Sequence, residues 1–113
     1  APDFLADLAA FVTRVGGLGR LTGLAQTVLR CTAPGVPDTY QGTECWDFSL
    51  VDPDNRRPVD YDARRRWLAE LDAAPAVDAA DPRAKLFAVS RALRARRAHA
   101  DLFANGEYLP LTT

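Results

Sequence analysis

Apolar residues recur at three- and four-residue steps through the first third of the chain. Phe4, Leu5, Leu8, Phe11, Val12 and Val15 form one stripe, which predicts a helix over residues 3–15. Pro2 is tolerated at a helix start, and Gly16-Gly17 predict a stop through a left-handed exit. Leu18, Leu21, Leu24, Ala25, Val28 and Leu29 form a second stripe, predicting a helix from about Leu18 to Thr32. Gly19 and Gly23 each cost that helix about 1 kcal/mol relative to alanine. They mark places where another backbone comes close.

The pattern changes after residue 32. Pro34, Gly35, Pro37, Gly42, Pro53 and Pro58 punctuate residues 33–60 and exclude regular helix. Val36 to Gln41 read as one short strand, and the remainder as a long polar loop. A loop of this length is functional or disordered. Trp46, Phe48, Leu50 and Val51 are anchors that disordered segments lack. A third helix is expected over Tyr61–Asp72, with Asp60 as N-cap and Ala63, Trp67, Leu68 and Leu71 facing inward. Residues 73–80, rich in Ala, Pro and Asp, read as a linker. A fourth helix is expected from Asp81 as cap and Pro82 as first residue to about Ala98. Asn105-Gly106 is a turn signal, and Glu107 to Leu111 read as the start of a strand. A lone short strand cannot form a sheet, so its hydrogen-bonding groups need partners outside the chain.

Composition narrows the class. Length is 113 residues, one small domain's worth and far below the roughly 250 residues of a complete (β/α)8 barrel. Formal net charge is −1, so no global field steers the chain to nucleic acid or to an anionic membrane. No stretch is long and apolar enough to predict a membrane span, and no signal peptide is evident, so a cytoplasmic setting is expected. The two cysteines, Cys31 and Cys45, are expected to be buried and reduced. The chain begins at Ala1 and has no methionine, as an interior segment of a longer polypeptide would.

The run Pro34-Gly35-Val36-Pro37-Asp38-Thr39-Tyr40-Gln41-Gly42-Thr43-Glu44 places polar groups just after a predicted strand. Barrel enzymes keep their functional groups there. Tyr40 offers a flat face to a pyranose ring, and Gln41 and Glu44 offer partners for hydroxyls. This run resembles the eighth-strand motif of the α-amylase superfamily, glycoside hydrolase family 13. The continuation Ser49-Leu50-Val51-Asp52-Pro53-Asp54-Asn55-Arg56-Arg57-Pro58-Val59-Asp60-Tyr61 is similar to the maltooligosyl trehalose synthases in particular. Trp67-Leu68, Lys85-Leu86-Phe87, and Phe103 to Leu111 extend the resemblance over essentially the whole chain.

The resemblance implies a chain mainly α by itself, a fragment of a (β/α)8 barrel comprising the last helices and the eighth strand and leading into a C-terminal β-domain. It implies barrel end over residues 1–72, linker over 73–81, and a helix plus the start of the next domain over 82–113. The implied reaction moves the reducing-end α-1,4 bond of a maltooligosaccharide to an α,α-1,1 bond by intramolecular transglycosylation. The carboxylates that such retaining chemistry needs would lie N-terminal to this chain. No catalytic residue, cofactor or metal is therefore expected here, and the fragment alone is expected to be inactive. The implied partners are the maltooligosaccharide and the rest of the barrel. The residues expected to shape or brace the sugar pocket are Asp38, Tyr40, Gln41 and Glu44, with Asp52, Asp54, Asn55, Arg56 and Arg57.

Each has a plainer role available. Glu44 can pair with Arg56 or Arg57 and fix the loop, and Asp52, Asp54 and Asn55 can form local turns. Their spacing also suits calcium, but the glycine and closing glutamate of a calcium loop are missing. Trp46 and Trp67 are expected in the core or at an interface. His99, the single histidine, is expected at a helix end facing solvent. Arg83, Lys85, Arg91, Arg94, Arg96 and Arg97 make the fourth helix basic. A nucleic-acid patch is the sharp reading. The resemblance favours stems lying on apolar surface with heads paired to acids. The rival identity is a free-standing helical interaction module carrying that basic helix.

Overall fold

The structure, a computed structural model, describes residues 2–111. It is helical: α1 (Pro2–Thr32), a single 3-10 turn (Asp54–Arg56), α2 (Tyr61–Asp72), α3 (Ala84–Ala98) and α4 (Ala100–Asn105). No β-strand occurs among the described residues.

The first correction concerns α1. The two expected helices are one continuous helix of 31 residues, and Gly16-Gly17 lie inside it. A glycine in a helix weakens it without breaking it, and nothing from Thr13 to Leu29 is proline. The expected strand Val36–Gln41 is the second correction. Residues 36–40 have no regular structure, and 41–44 form a turn. A strand forms only where a neighbour completes its ladder, and this chain supplies none. Glu107 to Leu111 likewise form no strand, and Thr112 and Thr113 lie outside the described residues.

α2 has the expected bounds. The Asp60 side chain accepts from the Ala63 backbone N–H at 2.8 Å, capping one of the helix's orphan donors. α3 starts two residues later than Pro82. Asp81 makes a turn of its own instead: its carboxylate accepts from the Arg83 N–H at 2.7 Å and from the Arg83 guanidinium. Those bonds hold the half-buried Asp81 carboxyl down at about 2. His99 is exposed and sits at the break between α3 and α4, where its backbone leaves helical angles. Short α4 was not anticipated.

α1 packs against α3, and α3 against α2 and α4. Cys45, Leu71 and Leu86 make a small core, with Trp67, Leu68, Val77 and Phe87 around it. Thr27 and Cys31 are the buried residues of α1, and both thiols are free and buried. Trp46 stacks on Phe48 with ring centroids 6.2 Å apart, and its indole edge lies over Gly23. A Cβ at Gly23 would meet Trp46 at 3.2 Å, so the approach there is by a side chain, not a backbone.

Most apolar side chains of α1 lie outside this core. Phe4, Leu5, Leu8, Phe11, Val12, Val15, Leu18, Leu21, Val28 and Leu29 are all exposed. The radius of gyration is 17.2 Å, against about 13 Å for a compact chain of this length. The accessible surface is 8767 Å², against about 6,100 Å² for a folded monomer of this mass.

Because α1 runs through Gly16 and Gly17, and nothing lies within 4 Å of a Cβ built at either, Gly16→Ala and Gly17→Ala are expected to stabilise the 113-residue chain by up to about 1 kcal/mol each. Thermal melts followed by circular dichroism read this. A lower melting temperature would indicate a left-handed exit there, and a break in α1.

Candidate functional site

The turn after α1 and the loop before α2 meet over a small polar hollow. Gly42 is the hinge of the turn. Its φ of +86° falls in the left-handed region. It is buried, and a Cβ there would lie 3.1 Å from Val59 and 3.4 Å from Arg64. Backbone conformation and packing thus both require glycine at this position. Thr43 Oγ1 donates to the Tyr40 carbonyl at 2.7 Å and closes the turn.

Arg64 of α2 locks it. Its guanidinium pairs with the Glu44 carboxylate through Nε and donates to the Gly42 carbonyl from Nη2 at 3.1 Å. Both side chains of the pair are about four-fifths covered. Glu44 therefore does not pair with Arg56 or Arg57, as expected from proximity. Those arginines satisfy their own loop: Arg56 pairs with Asp52, and Arg57 with Asp54. Asp54 also accepts from the Leu50 N–H at 2.8 Å, and Asp47 from the Ser49 N–H at 2.8 Å. Hydrogen bonds from Arg57 and from Leu50 hold the Asp54 carboxyl below the usual carboxylate range. The Asp52–Pro53 bond is cis.

Of the nine expected site residues, Gln41, Asp54, Asn55 and Arg57 come together around the hollow, with Asp47, Ser49 and Arg64. Its volume is about 100 Å³, well under the roughly 300 Å³ at which ligand pockets begin. Asn55 Oδ1 is buried at its side with no hydrogen-bond partner among the described residues. Glu44 stands behind the hollow, on Arg64. Asp52 and Arg56 form an exposed pair. Asp38 and Tyr40 are exposed and line no part of this hollow. The arrangement thus offers a rim of donors and acceptors that includes the Asp47 and Asp54 carboxylates, each already accepting from a backbone N–H. Among the described residues no three His, Cys, Asp or Glu side chains converge to hold a metal, and no helix is long and apolar enough to cross a membrane.

Arg64 is the residue the sequence reading missed. The signal was there: it shares a helix face with Leu68 and Leu71, at steps of four and seven, so a charge stands in an inward stripe. Cys45 is next to this clamp, and burial pushes its thiol up, with Arg64 pulling the other way.

Arg83, Lys85, Arg91, Arg94 and Arg96 of the basic segment all find contacts within the chain. Arg83 pairs with Asp81 and Glu70, and Arg94 with Asp72. Arg91 donates to the carbonyls of Leu71, Asp72 and Ala74, at the C-terminal end of α2 and in the turn after it. Arg96 does the same at the end of α1, donating to Cys31, Ala33 and Gly35, and lies over the Phe103 ring at 4.8 Å. Lys85 lies 5.6 Å over Trp46.

Arg64→Ala leaves a mostly covered Glu44 charge without its partner, and is expected to destabilise the chain by about 1–3 kcal/mol. Arg56→Ala breaks an exposed pair and is expected to cost under about 0.5 kcal/mol. Urea denaturation of both variants checks the contrast, and equal losses would refute it.

No family model matches the chain. A protein provisionally named maltooligosyl trehalose synthase, from two strains of Mycobacterium tuberculosis, is 42% identical over 106 residues. The match takes in 94% of this chain and 12% of that protein, so the chain spans about an eighth of the curated relatives. A solved glycosyltrehalose synthase superposes with a TM-score of 0.84 at 37% identity, over 98% of this chain and 15% of its own. The solved maltooligosyltrehalose synthase of Arthrobacter ramosus gives 0.76 at 47% identity, over 84% of this chain and 13% of its own. By sequence and by fold, the chain belongs to the maltooligosyl trehalose synthase family, as one small segment of a much larger protein of that kind.

Proposed function

We infer that the chain is the part of a maltooligosyl trehalose synthase that closes the catalytic (β/α)8 barrel and leads into the following β-domain. On this reading residues 1–72 belong to the barrel end, 73–81 to a linker, and 82–113 to a helix and the start of the next domain. Val36–Gln41 becomes the eighth strand once neighbouring strands complete its ladder. The parent enzyme, a cytoplasmic member of glycoside hydrolase family 13, converts the reducing-end α-1,4 bond of a maltooligosaccharide into an α,α-1,1 bond. The segment alone performs no reaction.

The observation that carries this reading is the 42% identity sustained over 94% of the chain, which spans both motifs in order. The geometry supports a supporting role for the segment rather than a catalytic one. In the hollow, Gln41 and Asn55 present neutral amides, and Asp54 and Arg57 are already paired with each other. Neutral amides donate and accept at once, which suits a sugar hydroxyl. The unpartnered Asn55 Oδ1 is an acceptor waiting for such a donor. Asp52, Asp54, Arg56 and Arg57 hold the loop in shape around it, and Asp38, Tyr40 and Glu44 brace or flank the pocket wall.

The test is the native-length polypeptide with a maltooligosaccharide as substrate. Reducing ends should disappear as a non-reducing α,α-1,1-terminated product forms, while the 113-residue chain converts nothing. Asn55→Ala or Gln41→Ala should lower kcat/KM about tenfold, the loss of one or two hydrogen bonds. Retention of all reducing ends by the native-length polypeptide would refute the reading. Unchanged kcat/KM in both variants would remove the hollow from the sugar site.

A further inference from the structure

Each of the three guanidinium nitrogens of Arg64 has its own acceptor. Nε pairs with the Glu44 carboxylate, Nη2 donates to the Gly42 carbonyl at 3.1 Å, and Nη1 donates to the Asp60 carbonyl at 3.1 Å. Gly42 and Glu44 belong to the turn that carries Gln41. Asp60 ends the loop that carries Asn55 and caps α2. One planar group therefore joins the two walls of the hollow, with Gln41 on one and Asn55 on the other.

The junction is tightly built. Val59, next to Asp60, and Arg64 itself both pack on Gly42, at 3.1 Å and 3.4 Å from where a Cβ would lie. The side chains of Arg64 and Glu44 are mostly covered, so water weakens their pairing little. Within the turn, the Tyr40 carbonyl accepts from the Thr43 N–H at 3.0 Å, and the Gly42 carbonyl from the Cys45 N–H at 3.2 Å. Those bonds set the shape of the turn but not its place against the loop. The bonds from Arg64 supply that placement. A lysine would not. Its ammonium is a single point on a flexible stem, whereas the fixed fork of a guanidinium reaches separate acceptors at once.

We propose that Arg64 is a positioning residue for the transglycosylation: it holds Gln41 and Asn55 at the spacing at which their amides meet the maltooligosaccharide, and acts on the substrate through them. The inference rests on the synthase reading. It goes beyond it by naming the group that sets the geometry of the pocket. Hydrogen bonds made equally to the substrate and to its transition state show in KM. The carboxylates of the reaction lie outside this chain on the same reading, so kcat is left alone.

Arg64→Lys in the native-length polypeptide tests it, alone and in a background carrying both Gln41→Ala and Asn55→Ala. R64K alone should raise KM for a maltooligosaccharide about tenfold, the worth of one or two hydrogen bonds, and leave kcat within about twofold. In the background without the two amides, R64K should change kcat/KM by less than about twofold, because what it misplaces is already gone. Glu44→Gln removes the charge of the pair and keeps its shape. It should raise KM about threefold, and is read in the same cycle if R64K does not fold. A merely structural role lowers kcat with the folded fraction and leaves KM unchanged, and that result overturns the proposal. Equal losses in both backgrounds also overturn it, since Arg64 would then act on the sugar by itself. A native-length polypeptide that consumes no reducing ends refutes the synthase reading and this one with it. An active enzyme whose KM ignores R64K ends this one alone.

Discussion

An apolar helix that its own chain cannot bury governs everything else about this molecule. Water is a poor solvent for the exposed row from Phe4 to Leu29, and the hydrophobic effect scales with the area left in it. The small core of Cys45, Leu71 and Leu86 with its neighbours has no room to receive that row. The expanded radius and the large surface follow from this mismatch. The expected strand at Val36–Gln41 does not form, because no described segment offers it a ladder.

What the chain does hold by itself, it holds with arginine. Arg64, Arg91 and Arg96 each reach across to backbone carbonyls where a helix or turn ends. Arg64 adds the Glu44 carboxylate. The planar guanidinium, with its several donors, satisfies two or three acceptors at once, which a lysine cannot. The turn Gln41–Glu44 and the loop before α2 are thereby fixed with few apolar contacts. The hollow between them is shaped by short-range polar bonds.

The short, well-signalled elements were legible in the sequence. α2 has a capping aspartate, a regular inner stripe and no rival pattern, and its bounds match. The placement of His99 at a helix end and the buried, free state of Cys31 and Cys45 were also legible. α1 was misread because Gly16-Gly17 read as a left-handed exit, whereas the helix runs straight through them. The Glu44 pairing was misread because sequence distance favoured Arg56 and Arg57, whereas the fold brings Arg64 across twenty residues. Asn55 was picked for its chemistry, and only the structure revealed that its oxygen is left without a partner. The family was legible from two adjacent motifs, Pro34–Glu44 and Ser49–Tyr61, which stand in order on one stretch of chain.

The central claim is that this chain serves as part of a longer polypeptide. The most direct measurement is the mass of the native protein in its source cell, by blotting with an antibody raised against residues 44–60. A band several times larger than the 12.3 kDa of this chain is the predicted result. A band at 12.3 kDa would contradict it, because the face of α1 would then stay in water or pair with another copy.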